Sequence, residues 1–339
     1  MIIALVVAHE LGHFLAAKAC GMRVDEFAVG FGNPKWVVTK RHGTEYTIRP
    51  IPAGGFVRIP GMDPSEEGPA DGFNAQSVWK RMIVIFAGPF ASFVFAYLTF
   101  IVLGVTAGLP NPDAPPTLQQ LNKSMPAYQY GLRDGDTLLQ VQDLKVKGSD
   151  DVKAMIETIM KRPGQPVKVV VKRGDRTQTF NPVAKAVKVD GKMIGRLGFV
   201  PGDGEWTKYS LMGSISRGTE ESVSMVVKLV TTVFSKRIAK EAGGPIAILS
   251  TANSAAQAGL KYLILLTALL SLNFAVMNLL PIPVLDGGLL MLLTVEAVRG
   301  RRLSTKTQQA ALTFGLAVIG VIIVLVMAKD ISGLLHLGK

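Results

Sequence analysis

Long uncharged runs alternate along this chain with short stretches in which apolar and polar residues take turns. No Asp, Glu, Lys or Arg lies between Arg81 and Asp113, between Lys261 and Asp286, or between Lys306 and Lys329. Each window holds more than 20 residues, enough for a helix to cross a hydrocarbon core of about 30 Å. A fourth apolar stretch opens the chain and is interrupted at 8–13 by the group AHELGH. The pattern predicts four transmembrane helices, over 1–20, 80–109, 261–285 and 307–329. The first apolar run leads straight into the ionisable motif, so it reads as a short span and not as a cleavable leader.

The segments between the spans follow other periods. Residues 21–79 contain EFAVGFG, KWVVTK, EYTIRPI and GGFVRI, β-branched and aromatic runs separated by Gly, Pro and Asn, which predict strands and hairpins. Gly88-Pro89 inside the second span predicts a kink or a close helix contact. GLPNPDAPPT (108–117) reads as a semi-stiff linker. It leads into a soluble αβ module over 117–185, made of TLLQVQ, a helical SDDVKAMIETIMKR and the pair PVKVVVK/TQTFNPV. Residues 186–260 contain a hairpin turning at Asp190-Gly191, then a helix. Val223, Val226, Val227, Val230, Val233 and Phe234 recur in that helix at helical spacing, either at the membrane interface or against the soluble module. Residues 286–306 read as a loop.

Charge fixes the expected orientation. The net charge of +12 could suit nucleic acid, but its distribution does not. Eight Lys or Arg fall between Arg23 and Arg81, and Arg299, Arg301, Arg302 and Lys306 cluster between the third and fourth spans. Basic short loops mark the cytoplasmic side, and these two loops share a side in a four-span chain. The soluble module then lies outside, and no nucleic-acid partner is expected. One cysteine, Cys20, excludes an internal disulfide and any multi-cysteine metal site.

The AHELGH group carries the candidate chemistry. On a helix, residues four apart share a face, so His9 and His13 can offer imidazoles to one metal ion. Glu10 sits beside that face, placed to act as a base on water and not as a ligand. With four histidines in 339 residues, a second His at a given offset arises by chance about 1% of the time. The alternative is a pair of helix-end histidines facing headgroups with Glu10 solvated. Within an apolar span each ionisable group costs about 2.5–3.5 kcal/mol, and one metal explains all three. A catalytic zinc site wants a third protein ligand. His42 lies in the extended region and His336 near the C-terminus, both poorly placed for the bilayer, which leaves Asp286, in NLLPIPVLDGG (278–288), where Pro281 and Pro283 break the third span.

HELGH in a first span, GGFVRI after it, Gly88-Pro89 and NLLPIPVLDGG together resemble the site-2 protease family, and in particular its bacterial regulator-of-sigma-E type. The resemblance implies a polytopic α-helical membrane protein with membrane-associated β-hairpins and an inserted PDZ-like αβ domain. It implies Zn2+ held by His9, His13 and Asp286, and Glu10 as general base on zinc-activated water. Asn278 would help hold substrate or polarise its carbonyl, and Gly54, Gly55 and Phe56 would present substrate as an extended strand. The activity implied is intramembrane endopeptidase cleavage of single-span membrane proteins, of the anti-sigma-factor or remnant-signal-peptide class, in a bacterial cytoplasmic membrane and in contact with its lipid. The segment YGLRDGD (130–136) followed by TLLQVQ is similar to a bacterial PDZ signature, with Asp143-Leu144 where the family usually has Asn-Gly.

Two readings from other classes compete. A metal-dependent transporter would line an ion path with the intramembrane His and Glu, but no internal repeat is visible. A PDZ scaffold with a structural metal would have no use for Glu10, so it would keep full function in a Glu10→Gln variant.

Overall fold

A computed structural model describes the chain except for residues 67, 190, 203, 234, 236–243, 338 and 339. It divides into two units, one made of Met1–Leu103 with Met212–Lys339 and the other of Gly104–Leu211. Among the described residues, four helices in the first unit are long and apolar enough to cross a membrane. They are α1 (Ile2–Ala19), α2 (Val78–Thr106), α7 (Leu260–Asn278) and, in α9 (Thr305–Leu337), the stretch Thr305–Lys329. α2 stops short of the expected boundary, because Leu109 belongs to a strand.

The four extended runs form one sheet, β1 (Glu26–Phe31), β2 (Trp36–Arg41), β3 (Thr44–Ile48) and β4 (Ile51–Arg58), in the order β2-β3-β1-β4. β1 runs parallel to β3 and antiparallel to β4, with Val29 opposite Gly55 and Ala28 opposite Phe56. β4 is therefore an edge strand. A buried carboxylate pins the middle of the sheet: Glu26 accepts from Thr47 Oγ1 at 2.6 Å and from Arg49 Nη2 at 2.8 Å. Burial alone would raise the Glu26 pKa, but the Thr47 hydroxyl and the Arg49 guanidinium outweigh it and hold the carboxyl below its usual range. The sheet joins α1 and α2 through a core that includes Ala17, Val24, Ile59, Val84 and Ile85. Each large aliphatic side chain fully buried there is worth about 1.5–3 kcal/mol.

One expectation in this unit needs correction. Residues 286–306, read as a loop, contain the helix α8 (Asp286–Arg299). Its Asp-Gly-Gly start looks like a turn in sequence, yet the helix begins there. The helix expected at 209–240 is α5 (Leu211–Val233), and Phe234 and residues 236–243 lie outside the described residues. α5 buries Ser214, Gly218 and Ser222 and leaves Val223 and Val227 exposed. The small stripe lets α5 approach α2 closely, with Gly218 beside Phe100 and Ile101 and Tyr97 Oη 3.3 Å from Thr219 Oγ1. Its buried face within the protein is the small one. A further helix, α6 (Pro245–Ala258), precedes α7 and packs against it.

The second unit is αβ, as its alternation suggests, but larger than 117–185. Its central sheet has the order β10-β9-β7-β8, from β7 (Thr137–Val141), β8 (Leu144–Lys145), β9 (Val169–Arg173) and β10 (Arg176–Phe180). After the single turn α3 (Pro126–Gln129), α4 (Asp151–Met160) covers the sheet with Met155 and Ile159. The Gln142-Asp143 turn forms without the Asn-Gly pair, with Gln142 in the left-handed region at φ 53°. The hairpin β11 (Lys185–Val189) and β12 (Lys192–Arg196) forms as expected, its turn residue Asp190 lying outside the described residues. Leu197 then joins the core, and β13 (Val200–Pro201) pairs with β6 (Leu118–Gln119). The segment 108–117 is not a free linker. β5 (Leu109–Pro110) pairs with β14 (Trp206–Thr207), and Pro112 O accepts from Ser149 N–H at 2.8 Å. Proline suppresses ladder donors, which hides such short pairings from a sequence reading.

Candidate metal centre

Three predicted ligands meet although 273 residues separate His13 from Asp286 (286 − 13). His9 and His13 lie one turn apart on α1 and are both buried. His13 Nδ1 donates to Val84 O at 2.8 Å, which leaves Nε2 free to face inward. Gly88 makes room for that ring, because a Cβ there would collide with the His13 imidazole. The Gly-Pro pair of the second span is thus a site of close helix contact, one of the two outcomes its sequence predicts. Asp286 is the first residue of α8, where a carboxylate suits the helix dipole. Gly287 and Gly288 let that first turn press onto the broken segment after α7. A Cβ on either would strike the carbonyl of Leu279 or Ile282.

The donor geometry fits one zinc ion. His9 Nε2 stands 3.2 Å from His13 Nε2 and 3.2 Å from Asp286 Oδ2, and His13 Nε2 stands 3.5 Å from the same oxygen. Ligands about 2.0–2.1 Å from a tetrahedral zinc stand about 3.3 Å from one another. Asp286 Oδ2 is buried and, among the described residues, lacks a well-aligned hydrogen-bond donor, despite two imidazole nitrogens within reach. A buried carboxylate oxygen left so is costly, and a cation accounts for it. No other cluster of three such donors occurs among the described residues.

The remaining predicted residues surround this triad. Glu10 interacts electrostatically with His9, His13 and Asp286, and the Val57 backbone N–H of β4 is turned toward its carboxylate. β4 approaches α1 at this turn through Gly55, where a Cβ would stand 3.0 Å from Val6 Cγ1 and 3.5 Å from Glu10 Cγ. Gly54 lies under the Phe31 ring, Phe56 stacks on Phe31, and the Arg49 guanidinium lies over the Phe56 ring at 5.1 Å. Asn278 ends α7, buried, and its Nδ2 has no hydrogen-bond partner among the described residues. Phe274, one turn earlier on the same face, meets the His9 ring at 4.9 Å.

Sequence reasoning missed the groups that orient the candidate ligands. Ser92 Oγ lies 3.2 Å from His9 Nδ1, and Ser271 Oγ donates to Ser92 O at 2.8 Å, joining α1, α2 and α7. Ligand histidines regularly use their second nitrogen in this way. The available signal was a hydroxyl in each of two apolar spans, which by itself is common.

Known proteins extend the same pattern over nearly the whole chain. The family model for Peptidase family M50 matches residues 1–322. A putative zinc metalloprotease from Clostridium acetobutylicum is 30% identical over 331 residues, covering 96% of this chain and 94% of that protein. The regulator of sigma-W protease RasP from Bacillus subtilis is 28% identical over 417 residues, covering 97% and 96%. Among solved structures, the PDZ domain of an SdrC-like protein from Listeria monocytogenes is similar over 27% of this chain and 93% of that chain, at 18% identity and a TM-score of 0.23. The chain therefore belongs to peptidase family M50, the site-2 protease family, and is a membrane zinc metalloprotease.

Proposed function

We propose that this protein cleaves transmembrane segments of single-span membrane proteins, with His9, His13 and Asp286 as the zinc ligands and Glu10 as the general base. The carrying observation is the triad itself, three ligand atoms 3.2–3.5 Å apart in an apolar setting with Glu10 at its side. Zinc held there supplies Lewis acidity toward water and toward a peptide carbonyl. Glu10 takes the proton of the attacking water and passes it to the leaving amine. The scissile bond lies hidden within the hydrogen bonds of a substrate helix, so cleavage requires local unwinding. The outer edge of β4 offers an unwound peptide a strand to pair with, and Val57 N–H lies on the side facing Glu10. Asn278 Nδ2, buried without a partner among the described residues, is the donor for the carbonyl oxygen of the bound peptide.

The basic loops support a cytoplasmic placement of the catalytic end, with the PDZ-like unit on the other side of the membrane. A domain in that position obstructs substrates with folded external parts, so this enzyme acts after another protease has trimmed them. RasP is named a regulator of sigma-W, and an anti-sigma factor or a remnant signal peptide is the substrate class we assign here. The test is a comparison of membrane peptides in cells carrying the unchanged chain and Glu10→Gln. Trimmed single-span stubs should accumulate with Glu10→Gln. Identical peptide populations would refute the assignment.

A further inference from the structure

We infer that the buried Arg81–Glu296 ion pair is a positioning device for the metal centre, holding α8 against α2 so that Asp286 meets His9 and His13. Arg81 Nη2 lies 2.7 Å from Glu296 Oε2, and each side chain is only 5% exposed. Arg81 is one turn before Val84 on α2, and Val84 O orients His13. Glu296 lies on α8, whose first residue is Asp286. A single turn of α2 thus grips a histidine ligand on one side and the helix of the carboxylate ligand on the other.

The placement of the tie matters. Ten residues separate Asp286 from Glu296 (296 − 286), about 15 Å of helix. The near end of α8 is fixed where Gly287 and Gly288 press on the segment after α7, and a second point far along the axis sets its tilt. Both carboxylate oxygens of Glu296 are engaged, since Oε1 accepts from Leu303 N–H at 3.0 Å, so the side chain cannot swing while keeping its bonds. Apolar packing beside the pair is incomplete. A cavity of about 250 Å³ lies there, lined by Phe73, Leu289, Leu293, Gln308 and the pair itself. Stability alone does not call for this chemistry, because well-packed apolar side chains of similar volume often serve as well as a buried ion pair. What they lack is direction. This inference rests on the zinc reading of His9, His13 and Asp286.

The test measures zinc affinity by chelator competition, with thermal unfolding of the zinc-free full chain in detergent micelles alongside. The double variant Arg81→Met/Glu296→Leu removes the pair without leaving a lone buried charge. It should unfold within a few degrees of the unchanged chain yet bind zinc about 10- to 100-fold more weakly, the range typical of groups that orient metal ligands. Arg81→Lys keeps the charge but loses the planar fork, and should weaken zinc binding more than twofold at an unaltered unfolding temperature. It decides the matter if the double variant does not fold. Zinc affinity within twofold of the unchanged chain, in either folded variant, would overturn the inference and leave the zinc site standing. Failure of the unchanged chain itself to bind zinc stoichiometrically would overturn both.

Discussion

A methyl group at position 88 would fall on the His13 imidazole, which makes Gly88→Ala a sharp probe of the metal centre. Of the three ring atoms that a Cβ there would meet, even the farthest, Cδ2, would stand 2.9 Å away, against 3.4 Å for the start of ordinary contact. The ring must therefore retreat by at least 0.5 Å (3.4 − 2.9). Metal–ligand distances tolerate about 0.2 Å, so His13 cannot keep both its bond to Val84 O and its place in the triad. We expect zinc affinity to fall at least about 100-fold, or about 2.7 kcal/mol. Helix propensity pulls the other way, since Ala in a helix interior is favoured over Gly by about 1 kcal/mol. Displacing a buried ring costs about 1–3 kcal/mol, so the zinc-free protein should unfold no later than the unchanged chain. Chelator competition and thermal unfolding in micelles read the two effects separately. A Gly88→Ala protein that binds zinc as tightly as the unchanged chain would refute the reasoning.

Three further outcomes are expected. Asn278→Ala should retain zinc while cleavage slows about 10²- to 10³-fold, the usual cost of losing a donor to a developing oxyanion; unimpaired cleavage in a rate assay on a purified single-span substrate would remove Asn278 from the site. In a Cys20→Ser background, a cysteine at Lys172 should react with an impermeant thiol reagent added outside intact cells, whereas one at Arg301 should not; the reverse labelling would invert the topology. Excising residues 109–207 should leave a folded, zinc-loaded enzyme, because Leu109 pairs with Thr207 and a short linker can then join 108 to 208. That enzyme should cut some untrimmed substrate, and continued rejection of every untrimmed substrate would show that the PDZ-like unit is not the filter.

Much of the candidate site was legible because the chemistry it suggests is dictated by spacing on single elements. His9, Glu10 and His13 declare themselves through the helical period and through their cost inside an apolar run. Asp286 follows from the broken span around it, where an isolated charge closes a long uncharged window. The four strands at 21–79 were visible as β-branched runs between turn residues. What stayed hidden depends on long-range packing. The first turn of α8 looks like a loop because its two glycines serve close approach to Leu279 and Ile282, not chain reversal. The boundaries of the αβ unit were misplaced because β5, β6, β13 and β14 have only two residues each, too few to carry a period. Ser92, Ser271 and the Arg81–Glu296 pair gain meaning only once the helices that bear them touch.

Metal content per chain, determined side by side for purified Glu10→Gln and Asp286→Asn, tests the central claim most directly, because it separates the base from the ligands. Glu10→Gln should hold close to one zinc per chain and cleave nothing, since its carboxylate faces the triad without belonging to it. Asp286→Asn should lose most of its zinc, since a neutral amide replaces the oxygen that stands 3.2 Å from His9 Nε2 and 3.5 Å from His13 Nε2. Full zinc in Asp286→Asn, or zinc lost from Glu10→Gln, would contradict the account.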